Sequence, residues 1–339
     1  SGCGCETGGN GVPMVVLMLA MLAILRRRRP GYRRLAPVAA CALLAVAPAN
    51  AQEAPKLDVQ RFDPVPQMGT FTLVRDAAQP IAGSFGGHLV ISYGYRPFEL
   101  GDGGSGFRVG GIVDHLVAFN LGFEYAAMDW LSFGLDVPIL QIAGAPENGA
   151  AIAQELGGTG KTVGIGDITF IAGVGLLRES ADHPVSLSLT PRFLFPTGSR
   201  GAFLGSGSFG VGGDLAVGKS WRSFRFSASL GYLFQAVSES LSNIYADDEL
   251  RYGLAMGIPV RDGEFEVDVE WFGGAVLVPE GKAVLGDEWK STLHAPMELL
   301  GSLTWRPKDQ PVILKLGAGP GLTKGFGTPD FRAYLQVAA

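Results

Sequence analysis

Cysteine, histidine, basic charge and long apolar runs are all scarce in this chain, and each shortage removes a class of protein. The three cysteines, Cys3, Cys5 and Cys41, lie within the first 51 of 339 residues. Beyond residue 51 there is no disulfide, thiolate nucleophile or Cys-ligated metal. The four histidines, His88, His115, His183 and His294, are not spaced as metal ligands and form no His-x-Ser arrangement, so neither a metal, a cofactor nor an enzyme is expected. No stretch after residue 51 reaches the ~18 uninterrupted apolar residues of a helical membrane span. The first 51 residues hold six arginines and one glutamate, which leaves 21 basic and 31 acidic side chains beyond them, a net −10. Such an acidic surface excludes nucleic acid as a partner.

What the chain has is alternation. From about Gly87 to Val337 it repeats segments of roughly ten residues, apolar on one side and polar on the other. In Phe224–Phe234 one face reads Phe, Phe, Ala, Leu, Tyr, Phe and the other Arg, Ser, Ser, Gly, Leu. Twelve strands are predicted, over 87–97, 111–125, 130–141, 163–177, 184–195, 207–219, 222–235, 249–260, 264–277, 293–305, 311–318 and 330–337. Short turns alternate with long loops between them. That rhythm predicts an all-β transmembrane antiparallel up-and-down barrel with short periplasmic turns and long extracellular loops. An even strand number predicts both mature termini on the periplasmic side. The 50 glycines, scattered through the strands, suit close strand contact.

Aromatic rings collect at strand ends. Tyr125, Trp130, Trp221, Phe265 and Trp305 fall at short-turn ends and Trp271 toward a long-loop end, as membrane girdles. The polar register collects charge: Asp114, Glu124, Asp136, Asp167, Asp214, Glu264, Glu266, Asp268, Glu270 and Glu298, with Arg192, Arg225, Arg251, Lys315 and Arg332. Each would cost up to a few kcal/mol facing lipid, so these are the expected lumen-lining residues. They either pair into a network that fills the barrel or line a water-filled pore.

The segments before the barrel read differently. Arg33-Arg34, the apolar run Leu35–Ala47 and Ala49-Asn50-Ala51 form a signal peptide over 32–51, cleaved after Ala51. Residues 52–86 form an arm that either stays periplasmic or enters the lumen as a plug, with Phe62, Phe71, Leu73 and Val74 as apolar anchors. Gly157-Gly158-Thr159-Gly160-Lys161-Thr162 fails as a phosphate loop, because Glu155 stands where its first glycine belongs.

Two resemblances follow from particular residues. Cys3-Gly4-Cys5, the apolar run Val12–Leu25 and Arg26–Arg29 resemble a myxobacterial C-terminal sorting tail. Residues 1–31 are therefore expected to come from a neighbouring reading frame. Arg61-Phe62-Asp63-Pro64, Gly69–Val74, Tyr93–Pro97 and Gly325–Arg332 resemble, in that order, the N-terminal barrel of myxobacterial-type OmpA-family proteins. The resemblance covers roughly 57–339, and only its two ends are specific. The family's calcium-binding repeats and peptidoglycan-binding domain have no counterpart here, so peptidoglycan binding is not implied.

Together these readings predict an outer-membrane barrel of about twelve strands over 87–339, with an envelope-structural role and passive, weakly cation-preferring diffusion of small solutes. Two alternatives stay open: a hydrophobic-compound importer of the fatty-acid-channel type, and a closed structural anchor without a pore. The expected partners are outer-membrane lipid and lipopolysaccharide, the barrel-assembly machinery and small solutes.

Overall fold

The computed structural model describes residues 58–66, 71–101, 108–144, 161–198, 203–237, 239–241, 244–277, 294–308 and 310–339. The leader, the sorting-tail-like segment and most of the glycine-rich loop at 157–162 lie outside the described residues.

The strands are β1 (Phe85–Gly101), β2 (Arg108–Met128), β3 (Leu131–Gly144), β4 (Lys161–Gly164), β5 (Ile168–Leu177), β6 (Ser186–Phe195), β7 (Gly210–Ser220), β8 (Arg225–Gln235), β9 (Glu239–Leu241), β10 (Ile244–Ala246), β11 (Glu249–Val260), β12 (Phe265–Val276), β13 (Met297–Trp305), β14 (Ile313–Pro320) and β15 (Phe331–Ala338). β4 and β5 both pair with β3 and occupy one position in the wall. β9 and β10 form a separate hairpin in the loop before β11. The other strands pair antiparallel with their chain neighbours, and β1 pairs with both β2 and β15. Among the described residues the wall is thus a closed barrel of twelve antiparallel strands, with no free edge.

The predicted strands and the observed ones agree to within a few residues, save at three places, the first being the β9–β10 hairpin in the expected loop 236–248. Residues 98–101 and 108–110, expected as loop, continue the β1–β2 ladder through bulges beside Tyr95 and Phe98 to Gly101↔Arg108. The expected strand 163–177 is broken at 165–167, where Gly164 and Gly166 let the chain leave the ladder.

The barrel is inverted relative to a soluble protein. Outward side chains are large and apolar, with Leu316 65% exposed and Leu230 56% exposed. Inward ones include Asp268 and Arg332, both fully buried. An apolar exterior over a polar interior is what a lipid surround selects. Inward glycines make room for that interior. An added Cβ at Gly231 would lie 2.1 Å from Asp214 Oδ1, and one at Gly134 would lie 2.9 Å from Pro66 Cβ of the arm.

Candidate functional site

The lumen is occupied by the chain's own N-terminal arm. Its two ends lie at opposite mouths of the barrel. At the long-loop end, Asp58 bridges Leu204 and the Val59 amide donates to the Phe203 carbonyl at 3.0 Å. At the short-turn end, the Ala82 amide donates to Asp129 and the Gly83 amide to the Ala126 carbonyl. The C-terminal Ala339 also lies at the short-turn end, exchanging amide–carbonyl bonds with Gly87. Between the two mouths Val59, Phe62, Val65, Phe71, Thr72, Val74, Arg75 and Ala77 are all buried.

The lower part of the arm is held by a wall carboxylate. Glu270 on β12 accepts from the backbone amides of Thr72 at 2.9 Å, Leu73 at 2.7 Å and Val74 at 2.9 Å. Three successive amides converging on one anion form a charge-assisted nest. Ser227 on β8 donates to the Arg75 carbonyl at 2.7 Å, and Thr72 reaches Tyr334 and Gln336 on β15. Phe71 and Val74 pack on Ala255 and Phe272.

Side-chain pairs hold the upper part. Asp63 accepts from Arg192 Nη1 at 2.5 Å and from both Nη atoms of Arg251 at 3.1 Å. Arg61 donates to Glu249 at 2.7 Å. Phe62 packs among Val90, Leu300 and Tyr334, with the Arg332 guanidinium 4.8 Å above its ring. Burial, with Asp167 close by, pushes the Asp58 carboxyl up from 3.8 to about 8.

The predicted lumen residues resolve into pairs. Glu298 takes a bidentate pair from Arg332 at 2.7 and 2.9 Å. Asp268 pairs with Lys315 at 3.0 Å and accepts from Thr304. Glu266 pairs with Arg225, whose guanidinium lies over Phe71, and with Arg306. Asp214 lies 3.4 Å from Arg75 and 3.8 Å from Arg192. Asp136 accepts from Asn120 at 3.0 Å. Glu124 is buried on the inward register of β2, and Asp114 is half-buried on the same register. One residue differs from expectation, and another lies inward from outside a strand. Glu264 sits in the turn before β12, because the alternation reads one residue beyond the strand. Asp167 sits in the break between β4 and β5, where it ties down the Gly198 amide and the Ser206 amide and hydroxyl.

The expected girdle residues all lie outward. Tyr125, Trp130, Trp221 and Trp305 are exposed at short-turn ends. Phe265 is opposite Trp305, and Trp271 tilts against Tyr252 at 5.1 Å. Asp63, Arg75, Arg61 and Glu249 carry the arm's docking but were not among the expected site residues. Glu249 alone had a sequence signal, as the first inward position of β11.

Beside the upper part of the arm lies a chamber of about 120 Å³, whose lining includes Asp63, Asp136, Asp167, Arg192, Glu249 and Arg251. Among the described residues no cluster of three His, Asp or Glu is placed to hold a metal.

No protein-family model matches the chain, and neither does any curated protein. Among solved structures, it is similar to an outer-membrane channel from Pseudomonas putida F1. The TM-score is 0.55 and the identity 16%, over 78% of this chain and 97% of that one. This chain has the fold of an outer-membrane β-barrel. Two porins share its architecture more loosely. NanC aligns at TM-score 0.42 and 9% identity, over 74% of this chain and 97% of its own. KdgM, crystallised with disordered oligogalacturonate, aligns at 0.41 and 8%, over 75% and 98%. At these identities the likeness concerns the barrel fold alone.

Proposed function

We propose that this barrel is an outer-membrane channel for small polar solutes whose resting state is closed by its own N-terminal arm. The observation that carries this reading is the set of three backbone amides held by Glu270. That clamp seats the arm across the lumen through groups any arm sequence could supply, beside two small apolar clusters shared with the wall. Solutes pass when the arm shifts. The wall left behind has more carboxylates than cations, which supports a weak cation preference. The outward apolar belt seats the barrel in outer-membrane lipid, with lipopolysaccharide around the long-loop end.

An inserted arm is equally what a hydrophobic-compound importer would carry. The chamber beside the arm supports the polar reading, because the ion pairs Asp63–Arg192, Asp63–Arg251 and Arg61–Glu249 lie in its lining.

The test is single-channel recording of refolded residues 52–339. An added Cβ at Gly253 would stand 2.9 Å from Val74 Cγ2, which puts Val74→Cys and Gly253→Cys within disulfide reach. The oxidised double variant is expected to be silent. Reduction, or Glu270→Ala in the parent chain, should give discrete steps whose reversal potential favours cations. Silence under all these conditions would establish the closed anchor instead, and anion preference would overturn the acidic-wall argument.

A further inference from the structure

Arg75 lies on the arm below the upper chamber and is 3% exposed. Its Nε faces Asp214 at 3.4 Å. Its Nη1 and Nη2 are buried and meet no protein partner. Arg75 borders a second chamber of about 30 Å³, also lined by Asp63, Arg192, Asp214 and Arg251. Asp63, Arg192 and Arg251 line the upper chamber as well, so the two share a wall.

The charges around this small chamber do not balance. Asp63 is shared between Arg192 and Arg251, and Asp214 between Arg75 and Arg192. Three guanidiniums thus meet two carboxylates. Arg61, which also borders the chamber, is already paired with Glu249. Asp136 lines only the upper chamber, and its hydrogen bond comes from Asn120. A buried cation without a counter-charge is costly, and a guanidinium with both terminal nitrogens free presents two parallel N–H groups. Their spacing matches the two oxygens of one carboxylate, whereas a spherical anion takes up only a single point of that fork.

We infer that Arg75, with Arg192 and Arg251, forms a binding site for the carboxylate of one small monocarboxylic solute. The site belongs to the arm-seated barrel and does not depend on whether the barrel conducts. The solute's carboxylate sits end-on against Arg75 and leaves any short tail in the upper chamber.

The test uses refolded residues 52–339 in detergent, with radiolabelled acetate in equilibrium dialysis. Saturable binding of one acetate per barrel is expected, with a Kd of about 1 mM. Formate should displace it, while chloride and bromide at equal concentration should not. Arg75→Gln should weaken binding by at least about tenfold. Arg75→Lys should fall between, since an ammonium keeps the charge and loses the fork. Lys324→Gln, an exposed charge at the long-loop end, should leave binding unchanged. The inference is overturned if the parent chain binds no acetate saturably, if chloride competes as well as formate, or if folded Arg75→Gln binds as the parent does. Should Arg75→Gln fail to give the heat-modifiable folded form, the competition series on the parent chain decides alone.

Discussion

The two parts of the arm enter the same lumen and are held by opposite strategies. Residues 71–77 are gripped through their backbone, with Glu270 taking three amides and Ser227 donating to the Arg75 carbonyl. Residues 60–63 are gripped through their side chains, with Arg61 on Glu249 and Asp63 between Arg192 and Arg251, beyond a backbone bridge from 58–59 to Phe203 and Leu204. A backbone clamp fixes where the chain runs and is indifferent to what it carries. Side-chain pairs between ionised groups can be exchanged for water, solute or one another. The lower part is thus built as an anchor and the upper part as the portion that yields.

The largest expected effect therefore comes from the anchor. Glu270→Ala strands three buried amides and should cost about 3–5 kcal/mol of folded-state stability. Thermal unfolding by circular dichroism measures it, with loss of heat-modifiable mobility at lower temperature. Glu270→Gln keeps an acceptor and should lose less than half as much. Equal losses would mean that packing rather than the nest holds the arm.

Next is Asp63→Ala, which leaves Arg192 and Arg251 facing each other with their shared carboxylate gone. Breaking a buried pair on one side costs about 3 kcal/mol in comparable cases, but Arg251 is partly exposed and water relieves it. The expected loss is about 2 kcal/mol. A nitroxide at Gln60→Cys should become mobile, while one at Ala78→Cys stays slow. Mobility rising at both positions would erase the distinction between anchor and yielding part.

Much of this architecture is readable from the residues. The barrel strands and their inward registers follow from alternation, because a charge such as Glu266 or Arg332 has no place on a lipid face. The reading fails where alternation stops carrying information. Glu264 keeps the polar phase of β12 but lies in the turn, and Asp167 follows a Gly-x-Gly break that leaves the ladder. The arm is illegible for a stronger reason. Residues 58–81 have no strand period, and their partners lie far along the chain, Thr72 meeting Glu270 and Asp63 meeting Arg192. Moreover, the decisive donors are backbone amides, which every non-proline residue carries. Phe62 and Phe71 mark the arm as able to dock, yet nothing in the sequence says against which strand.

The pH dependence separates the two parts further. Asp58 titrates near 8 in the seated arm against 3.8 when free. The seated form therefore holds the proton more tightly. Seating of the upper part is strongest below about pH 4, weakens as pH rises toward 8 and is level above it. The nitroxide at Gln60→Cys should grow more mobile over that window, with Asp58→Asn removing the dependence. The lower part, clamped through Glu270, should show no change there. A pH response of the same size at Ala78→Cys would mean that the arm moves as one body.

The smallest effect belongs to a charge pair formed between two wall strands, Asp268 on β12 and Lys315 on β14. Asp268 and Lys315 pair with each other inside the wall through Asp268 Oδ2, which also accepts from Thr304. Replacing both together, Asp268→Leu with Lys315→Met, removes desolvation cost and attraction at once, and such exchanges are often neutral. Stability should change by less than about 1 kcal/mol, and nitroxide mobility at both arm positions should match the parent. Changing Lys315 alone should instead be destabilising, since it strands Asp268 at full burial. If the double replacement freed the arm, the wall's charges would act as one network, and the separate roles given to Glu270 and Asp63 would have to be merged.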